Sequence, residues 1–390
     1  MGYLEVTIDH TLIDSDLTNF PVGIKLDASD SILSGLGLTD YEGFHFTVDS
    51  VECYAEVDIW DMTGEEAIIW VKVPTVLSSS DTVIKIENVG DDNSSYVGVT
   101  GSIPAQTVWD SNFVAVYLMG QDPVGGTGSV LDSTSNGNDA NGINFNGVND
   151  WIDGDFGKAI NFGGTNEYVT IPTDSTLDAI ENMTIEAFIN FDAIPATGFG
   201  DAPIFSLYYS ATDRVQIKAT ESNEIRVFND IDNVGSGITT SSNVVTIETP
   251  YHIVTKISSA NWFTYVDTSE VLELTATQDI ADLNDGYVIH LGYLPVPNYY
   301  LNGNMSFVAI SNILRSDAWI KATYYVLSDG LLSKTFHTDP PVLLGIYGQI
   351  SISGKNVNII SVSLVEKGKW RSVEEIYMLN DGDWRQNIKS

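Results

Sequence analysis

The stretch 157–172, GKAINFGGTNEYVTIP, decides how this chain is read. Two short apolar runs, 159–162 and 168–171, flank the turn Gly163-Gly164-Thr165-Asn166. That is the strand, tight turn, strand pattern of an antiparallel sheet. Twelve residues on, 183–191 (MTIEAFINF) alternates for a full strand length. Met183, Ile185, Ala187, Ile189 and Phe191 share one face, with Thr184, Glu186 and Asn190 on the other. Phe188 interrupts the polar side, which predicts that this second face is covered in part.

Strand rhythm continues through 204–208, 214–219, 224–229, 251–257, 262–266, 271–276 and 288–293, closing with the long apolar run 303–311. One helix is expected at 317–327, capped by Ser316, with Asp317 favourable in the first turn. Trp319, Ala322, Thr323 and Val326 form its apolar face at i, i+3, i+4 and i+7. Taken together, 157–172 and 183–191 resemble the opening strands of laminin-G-like, concanavalin-A-type sandwich domains. Those openings carry the same Gly-Lys-Ala, Phe-Gly, Tyr-Val and Ile-Pro elements. The resemblance implies a last long strand at 303–311 and a short helix after it.

Upstream, residues 1–100 read as short strands at 4–8, 21–26, 44–48, 52–58, 67–73 and 82–87, a spacing suited to an all-β sandwich. The segment Leu-Thr-Asn-Phe-Pro-Val at 17–22, the pair Trp60-Asp61 and the run Trp70-Val71-Lys72-Val73-Pro74 resemble an uncharacterised β-rich family. That family precedes laminin-G-like modules in bacterial surface proteins and phage virion proteins, and it implies context without chemistry. Residues 101–150 read as linker and approach to the second domain, with a strand in 109–119 and loop throughout 125–149. Pro340-Pro341 marks a boundary, beyond which 342–365 is strand-like. The unit Gly-x-Trp-Arg then appears twice, around Trp370 and Trp384 with Tyr377 between. It resembles the C-termini of phage tail and virion proteins and implies a docking module built on those three aromatics.

The expected fold is therefore all-β: tandem antiparallel β-sandwiches, the second a concanavalin/laminin-G-like jelly roll. One short helix and a small β-rich C-terminal module complete it, divided as 1–105, 106–338 and 339–390.

Bulk properties narrow the function. At 390 residues, 43% hydrophobic and mean hydropathy +0.02, the chain holds several cored domains. No apolar run approaches the roughly 20 residues that span a bilayer. A net charge of −36 argues against nucleic acid and anionic membrane as partners. The excess is uneven: residues 1–105 carry three basic and nineteen acidic side chains, whereas 340–390 carry six and five. The start lacks a basic region followed by an apolar one, and Val6 stands where a myristoylation signal needs Ser or Thr. With the single Cys53 read as a small buried hydrophobe, the expectation is synthesis in a reducing compartment without Sec export.

Three places invite chemistry. Glu56, Asp58 and Asp61 resemble the Glu-x-Asp-x-x-Glu strand of laminarinase-like glycoside hydrolases, where a bulge returns the last acid to the others. Here the last acid is one methylene shorter, and strict alternation aims Asp61 away; the plain alternative is solvent-facing acids on an acidic domain. Asp132, Asn136, Asn138 and Asp139 gather hard oxygen donors of the type calcium prefers. The acids that calcium-binding relatives use in the last strand and in the Phe-Asp-Gly turn are missing, at 305–308 and at Gly163. An ordinary Asn/Asp-rich turn explains the loop equally. Finally, Tyr293, Asn298, Tyr299 and Tyr300, joined by Tyr208 and Tyr209, offer rings and an amide of the kind that hold sugars. The same aromatics would also serve to cap a sandwich end or a subunit contact. The five histidines have no ligand spacing, and no Gly-x-Ser-x-Gly or phosphate-binding loop is present.

The resulting expectation is a non-enzymatic phage virion protein without cofactor, calcium being the one ion the chemistry suits. It would have an outward lectin-like domain adhering to host-surface glycans, other virion proteins as partners and a homo-oligomeric assembly. It would be made in the host cytoplasm and carried on the virion. A glycan hydrolase using Glu56, Asp58 and Asp61, or a bacterial surface adhesin, are the alternatives.

Overall fold

The computed structural model describes residues 2–27, 41–61, 63–64, 66–88, 90–178, 180–195, 200–231, 234–240, 243–259, 261–275 and 286–337. It also describes the backbone of the strands between 343 and 387. Leu4–Phe336 forms one compact unit and His337–Ser390, with the first three residues, another. The all-β expectation holds for both.

The N-terminal part of the large unit is built on two sheets. One runs in the order Leu332–His337, Tyr3–Ile8, Thr82–Asn88, Phe44–Val48, Val51–Glu52. The other runs Leu17–Leu26, Glu66–Val76, Ala55–Asp61, Val97–Val99. Alternation does the work at the first strand, where Leu4, Val6 and Ile8 are buried and their neighbours half-buried. The second sheet differs, because Ile68–Val71 and Val22–Ile24 are buried without a break. It has protein on both faces. At Gly23 a Cβ would lie 2.8 Å from the Phe156 ring and 3.1 Å from Val326, so glycine permits the close approach.

The following part is a sandwich of an eight-stranded and a seven-stranded sheet. The first runs Trp151–Asp153, Lys158–Gly163, Asn302–Ser311, Met183–Ala193, Pro250–Ile257, Asn261–Val266, Ser269–Thr275, with Phe113–Tyr117 also on Asn302–Ser311. The second runs Asn141–Ile143, Tyr168–Ile171, Val288–Leu291, Ala202–Ser210, Asp213–Ala219, Ile225–Ile231, Val234–Thr239.

The 157–172 stretch is not a hairpin. Lys158–Gly163 pairs in the eight-stranded sheet and Tyr168–Ile171 in the seven-stranded one, so the Gly-Gly turn arches from sheet to sheet. Ile160 and Phe162 meet Val169 and Ile171 in one core from opposite sides. Two apolar runs about a tight turn have the same pattern whether they pair edge to edge or face each other across a sandwich. The long strand 302–311 is central, as expected.

The second face of Met183–Ala193 is covered almost throughout, because the N-terminal sheets pack on it. Phe188, Phe307 and Ala309 belong to the same apolar cluster as Leu4, Phe20 and Trp70. Trp70 stacks on Phe307 at 5.6 Å and meets Phe156 at 5.6 Å and Trp109 at 5.4 Å. One continuous core thus crosses residues 105 and 106.

Helix Asp317–Leu327 forms as read, with Trp319 N–H donating to Ser316 Oγ. More of it is buried than one face, Ala318, Ile320 and Leu327 included, because it is wedged between layers. Trp319 packs edge-on to Phe20 at 4.8 Å, while Ile320 joins Val254 and Tyr265 on the eight-stranded sheet. A short helix, Ile103–Val108, lies where linker was expected; Ser102 at its N-cap and Pro104 in its first turn are its sequence signature. Nor is 125–149 all loop: Asn141–Ile143 is a strand, and Val130 and Ala140 form a fully buried bridge.

In the C-terminal unit the strands run Leu343–Ile352, Lys355–Glu366, Ile376–Asn380, Asp383–Asn387, with Lys369–Arg371 on Lys355–Glu366. Trp370 is registered opposite Val365, Tyr377 opposite Ile360 and Gln386, and Trp384 opposite Leu379. Pro340-Pro341 and the glycines of both Gly-x-Trp-Arg units, Gly368 and Gly382, lie outside the described residues.

Candidate functional site

Strand Ala55–Asp61 carries the three acids of the hydrolase-like motif, and a register shift between Val57 and Ile59 does interrupt it. Past the bulge the three acids have different surroundings. Glu56 is fully buried and its carboxyl is enclosed by donors: Thr100 Oγ1 at 2.7 Å, Ser133 Oγ at 2.7 Å and Trp109 Nε1 at 2.6 Å. Burial pushes its pKa up to about 7, against the lowering effect of those hydrogen bonds. Asp58 lies against Gly120 and Gly157, and its Oδ1 has no partner. Burial first, then the nearby Glu56, holds it well above the usual carboxylate range. Asp61 is exposed and accepts from the Thr63 and Gly64 amides, which close its turn and lower its pKa. Glu56 joins the N-terminal sheet to the loop at Ser133.

The calcium-type loop is closed by its own hydrogen bonds. Asp132 accepts from the amides of Val116, Thr134 and Asn138 and from Thr134 Oγ1, and Asp139 accepts from the Asp132 amide. Asn136 donates to the Phe113 and Val114 carbonyls, and Asn138 to Val114 O and Thr176 Oγ1. A carboxylate surrounded by N–H and O–H groups is the reverse of a cation's oxygen shell. Three of the histidines pair with acids, His10 with Asp81, His45 with Glu52 and Asp91, and His252 with Glu186, while His337 stacks on Tyr3. A shallow groove of about 260 Å³ is lined partly by Asp110, Arg315 and Trp319. Its guanidinium is already bound bidentately by Asp110 at 2.8 and 2.9 Å.

The aromatic candidates fare differently. The face of the seven-stranded sheet that points away from the core presents Tyr168, Tyr208 and His290, and the hairpin Tyr293-Leu294/Tyr299-Tyr300 folds over it. Gln216 Nε2 donates to Val296 O at 2.9 Å and ties the hairpin to the sheet. Tyr293 stacks on Tyr300 (4.8 Å, 17°) and meets Tyr168 at a tilt (4.5 Å, 32°). His290 stands edge-on to Tyr293 at 5.4 Å and to Tyr208 at 6.3 Å. Asn298, in the left-handed region at φ +80°, accepts from Tyr293 OH at 3.0 Å and Tyr300 OH at 3.2 Å, fixing both rings. Burial and then Tyr300 raise the Tyr293 pKa to about 12, so its hydroxyl stays a donor. His290 Nδ1 and Ser206 Oγ are buried without partners, and burial lowers the His290 pKa to about 4.

Residues 162–321 match the family model described as the concanavalin A-like lectin/glucanases superfamily, of laminin G type. That segment is a laminin-G-like domain. No curated protein matches the chain in sequence. Among solved structures, domain 4 of an extracellular GH43 arabinanase from Geobacillus stearothermophilus, in complex with arabinotriose, is 12% identical. It covers 56% of this chain and 98% of its own, with a TM-score of 0.44. The binding domain of Paraclostridial Mosquitocidal Protein 1 is 11% identical over 71% of this chain and 73% of its own, TM-score 0.43. The Ruminococcus gnavus IT-sialidase CBM40 bound to α2,3-sialyllactose is 13% identical over 43% and 95%, TM-score 0.35. These are distant likenesses.

Within the laminin-G-like domain, the structure brings Tyr208, Tyr293, Asn298 and Tyr300 together. Tyr299 packs instead on Gly200, where a Cβ would lie 2.6 Å from its ring. Tyr209 is 51% exposed and takes the opposite parity to Tyr208 at the strand end. Tyr168 and His290 were not singled out from the sequence, although Tyr168 lies inside 157–172. Their signal is period two: Tyr168 and Thr170 alternate with the core residues Val169 and Ile171.

Proposed function

We propose that the protein is a non-enzymatic adhesive module that binds a glycan on the outer face of the seven-stranded sheet. The observation that carries this reading is the ring platform Tyr168–Tyr293–Tyr300, held by the Asn298 amide oxygen beside polar groups that lack partners. Sugar C–H faces pack on such rings, while ring hydroxyls and amides take the sugar hydroxyls. Glu56, enclosed by three donors, is unsuited to acid–base work on a substrate. The test is a glycan array probed with the full chain, with and without calcium, beside the double variant Tyr293→Ala/Tyr300→Ala. Binding by the parent and loss in the variant are expected; an array blank under both conditions overturns the reading.

The same proposal places the protein on a phage particle as a decoration, fibre or tail-tip component, oligomeric and attached through its first sheets or its C-terminal strands. The motifs at 17–22 and 70–74 and the paired Gly-x-Trp-Arg units support this. Immunogold labelling of purified particles checks it, and labelling of bacterial cell surfaces alone favours a surface adhesin instead.

A further inference from the structure

We infer that the glycan bound here carries a carboxylate, and that its acid group is held by Arg226, with Arg214 and Lys218, around Phe228. This deepens the glycan-binding reading and rests on it.

The chain has 17 Lys and Arg against 53 Asp and Glu, yet three of those cations surround one ring. Arg214 Cζ lies 5.3 Å from the Phe228 centroid, Arg226 Cζ 5.6 Å and Lys218 Nζ 5.9 Å. Register puts all four on the outer face, since Gln216 is opposite Phe228 and Lys218 opposite Arg226. Tyr208, which shares His290 with Tyr293, is directly opposite Arg214 at one strand spacing, about 4.8 Å, while Tyr168 lies two strands further along the same sheet.

Among the described residues, two acids reach this cluster. Asp201 pairs with Lys218 at 2.6 Å, whereas Asp230 stands 3.8 Å from Arg214, beyond hydrogen-bonding distance. No carboxylate pairs with Arg226 among the described residues. Arg214 Nε and Nη1 and Arg226 Nε are buried without acceptors. Three positive charges meet two negative ones, and a guanidinium fork suits a planar carboxylate. Gly237, beside Phe228 in the next strand, leaves the ring edge open: a Cβ there would stand 3.0 Å from Phe228 and 3.5 Å from Arg226 Nε. The strongly negative remainder of the protein repels an acidic ligand at long range. That repulsion fades beyond about 8 Å at 0.15 M salt, so contact at the cluster decides.

Calorimetry on the full chain tests this with two matched pairs, trigalacturonate against its methyl ester and sialyllactose against lactose. The expected result is at least tenfold tighter binding of the acid in one pair, which also separates uronate from sialate as the source. Arg226→Gln should bring the acid down to its neutral partner, with the melting temperature unchanged. Arg214→Gln supplies a second variant should Arg226→Gln melt early. Equal binding of acid and neutral sugars, lost in Tyr293→Ala/Tyr300→Ala, overturns the inference and leaves the platform standing. Acid binding that survives the tyrosine variant and fails in Arg226→Gln overturns the platform and supports the anion site. Absence of binding in all four overturns the inference.

Discussion

The two outer faces of the laminin-G-like sandwich have opposite fates. On the eight-stranded sheet, Thr184, Glu186, Phe188, His252 and Phe307 are all buried beneath the N-terminal sheets and helix 317–327. On the seven-stranded sheet, Tyr168, Tyr208 and Phe228 remain half-buried beside unpartnered His290 Nδ1, Ser206 Oγ and the arginine N–H groups. Acids, histidines and aromatics occur on both. The lesson is that accessibility and unsatisfied bonding, more than residue type, separate a joint from a binding surface.

The comparison breaks most easily at Trp70. Trp70→Ala is expected to cost about 4 kcal/mol in chemical denaturation, because a large ring is lost from the joint. Binding on the far face should persist in the folded fraction. A loss under about 1 kcal/mol would show that the N-terminal sheets are not docked on Phe307.

Glu56 offers the next test. Its unfolded carboxyl ionises near 4.5 but the folded one only near 7, so between these values the native state binds more protons. The Glu56 contribution to stability should therefore fall as pH rises from about 4.5 to 7, by about 3 kcal/mol. Glu56→Gln, whose amide suits the same three partners, should remove that slope relative to the parent. A parallel slope in both proteins would contradict it.

His290 works in the other direction. Its folded pKa is near 4 against 6.5 unfolded, so its neutral form stabilises the fold above 6.5 and that contribution is lost as pH falls toward 4. The loss is of similar size, about 3 kcal/mol or less given partial solvent contact. The two slopes oppose each other between 4.5 and 6.5. Urea titrations of Glu56→Gln across that window should thus expose the His290 slope that the parent conceals.

The smallest effect on stability belongs to the platform. Tyr293→Ala should cost about 1 kcal/mol, since its ring is half-buried, yet lower glycan affinity more than tenfold. A larger stability loss with unchanged affinity would make the ring a structural cap of the sheet.

Much of this was legible from residue patterns. Alternation located most strands, and Ser316 with Asp317 marked the helix start. The tyrosines of 293–300 named half of the candidate site. What escaped has a common cause. One of the two partners of 168–171 is the strand 288–291, more than a hundred residues away, and strand 332–337 returns to pair with 3–8. Tyr168, His290 and the Arg214–Phe228–Arg226 cluster become neighbours only through such pairings. Glu56 misled for the same reason: a buried acid satisfied by Thr100, Trp109 and Ser133 has the same local sequence as an exposed one.

The order of apolar and polar residues by itself determined that this chain makes antiparallel sandwiches, because period two exposes one face and buries the other wherever a strand forms. It also determined the helix, through its cap and its 3.6-residue stripe. Which sheet 158–163 and 168–171 each join, and which outer face remains open to a ligand, were decided by tertiary structure alone. Both depend on what packs across the sheet, and no periodicity along a single strand encodes that.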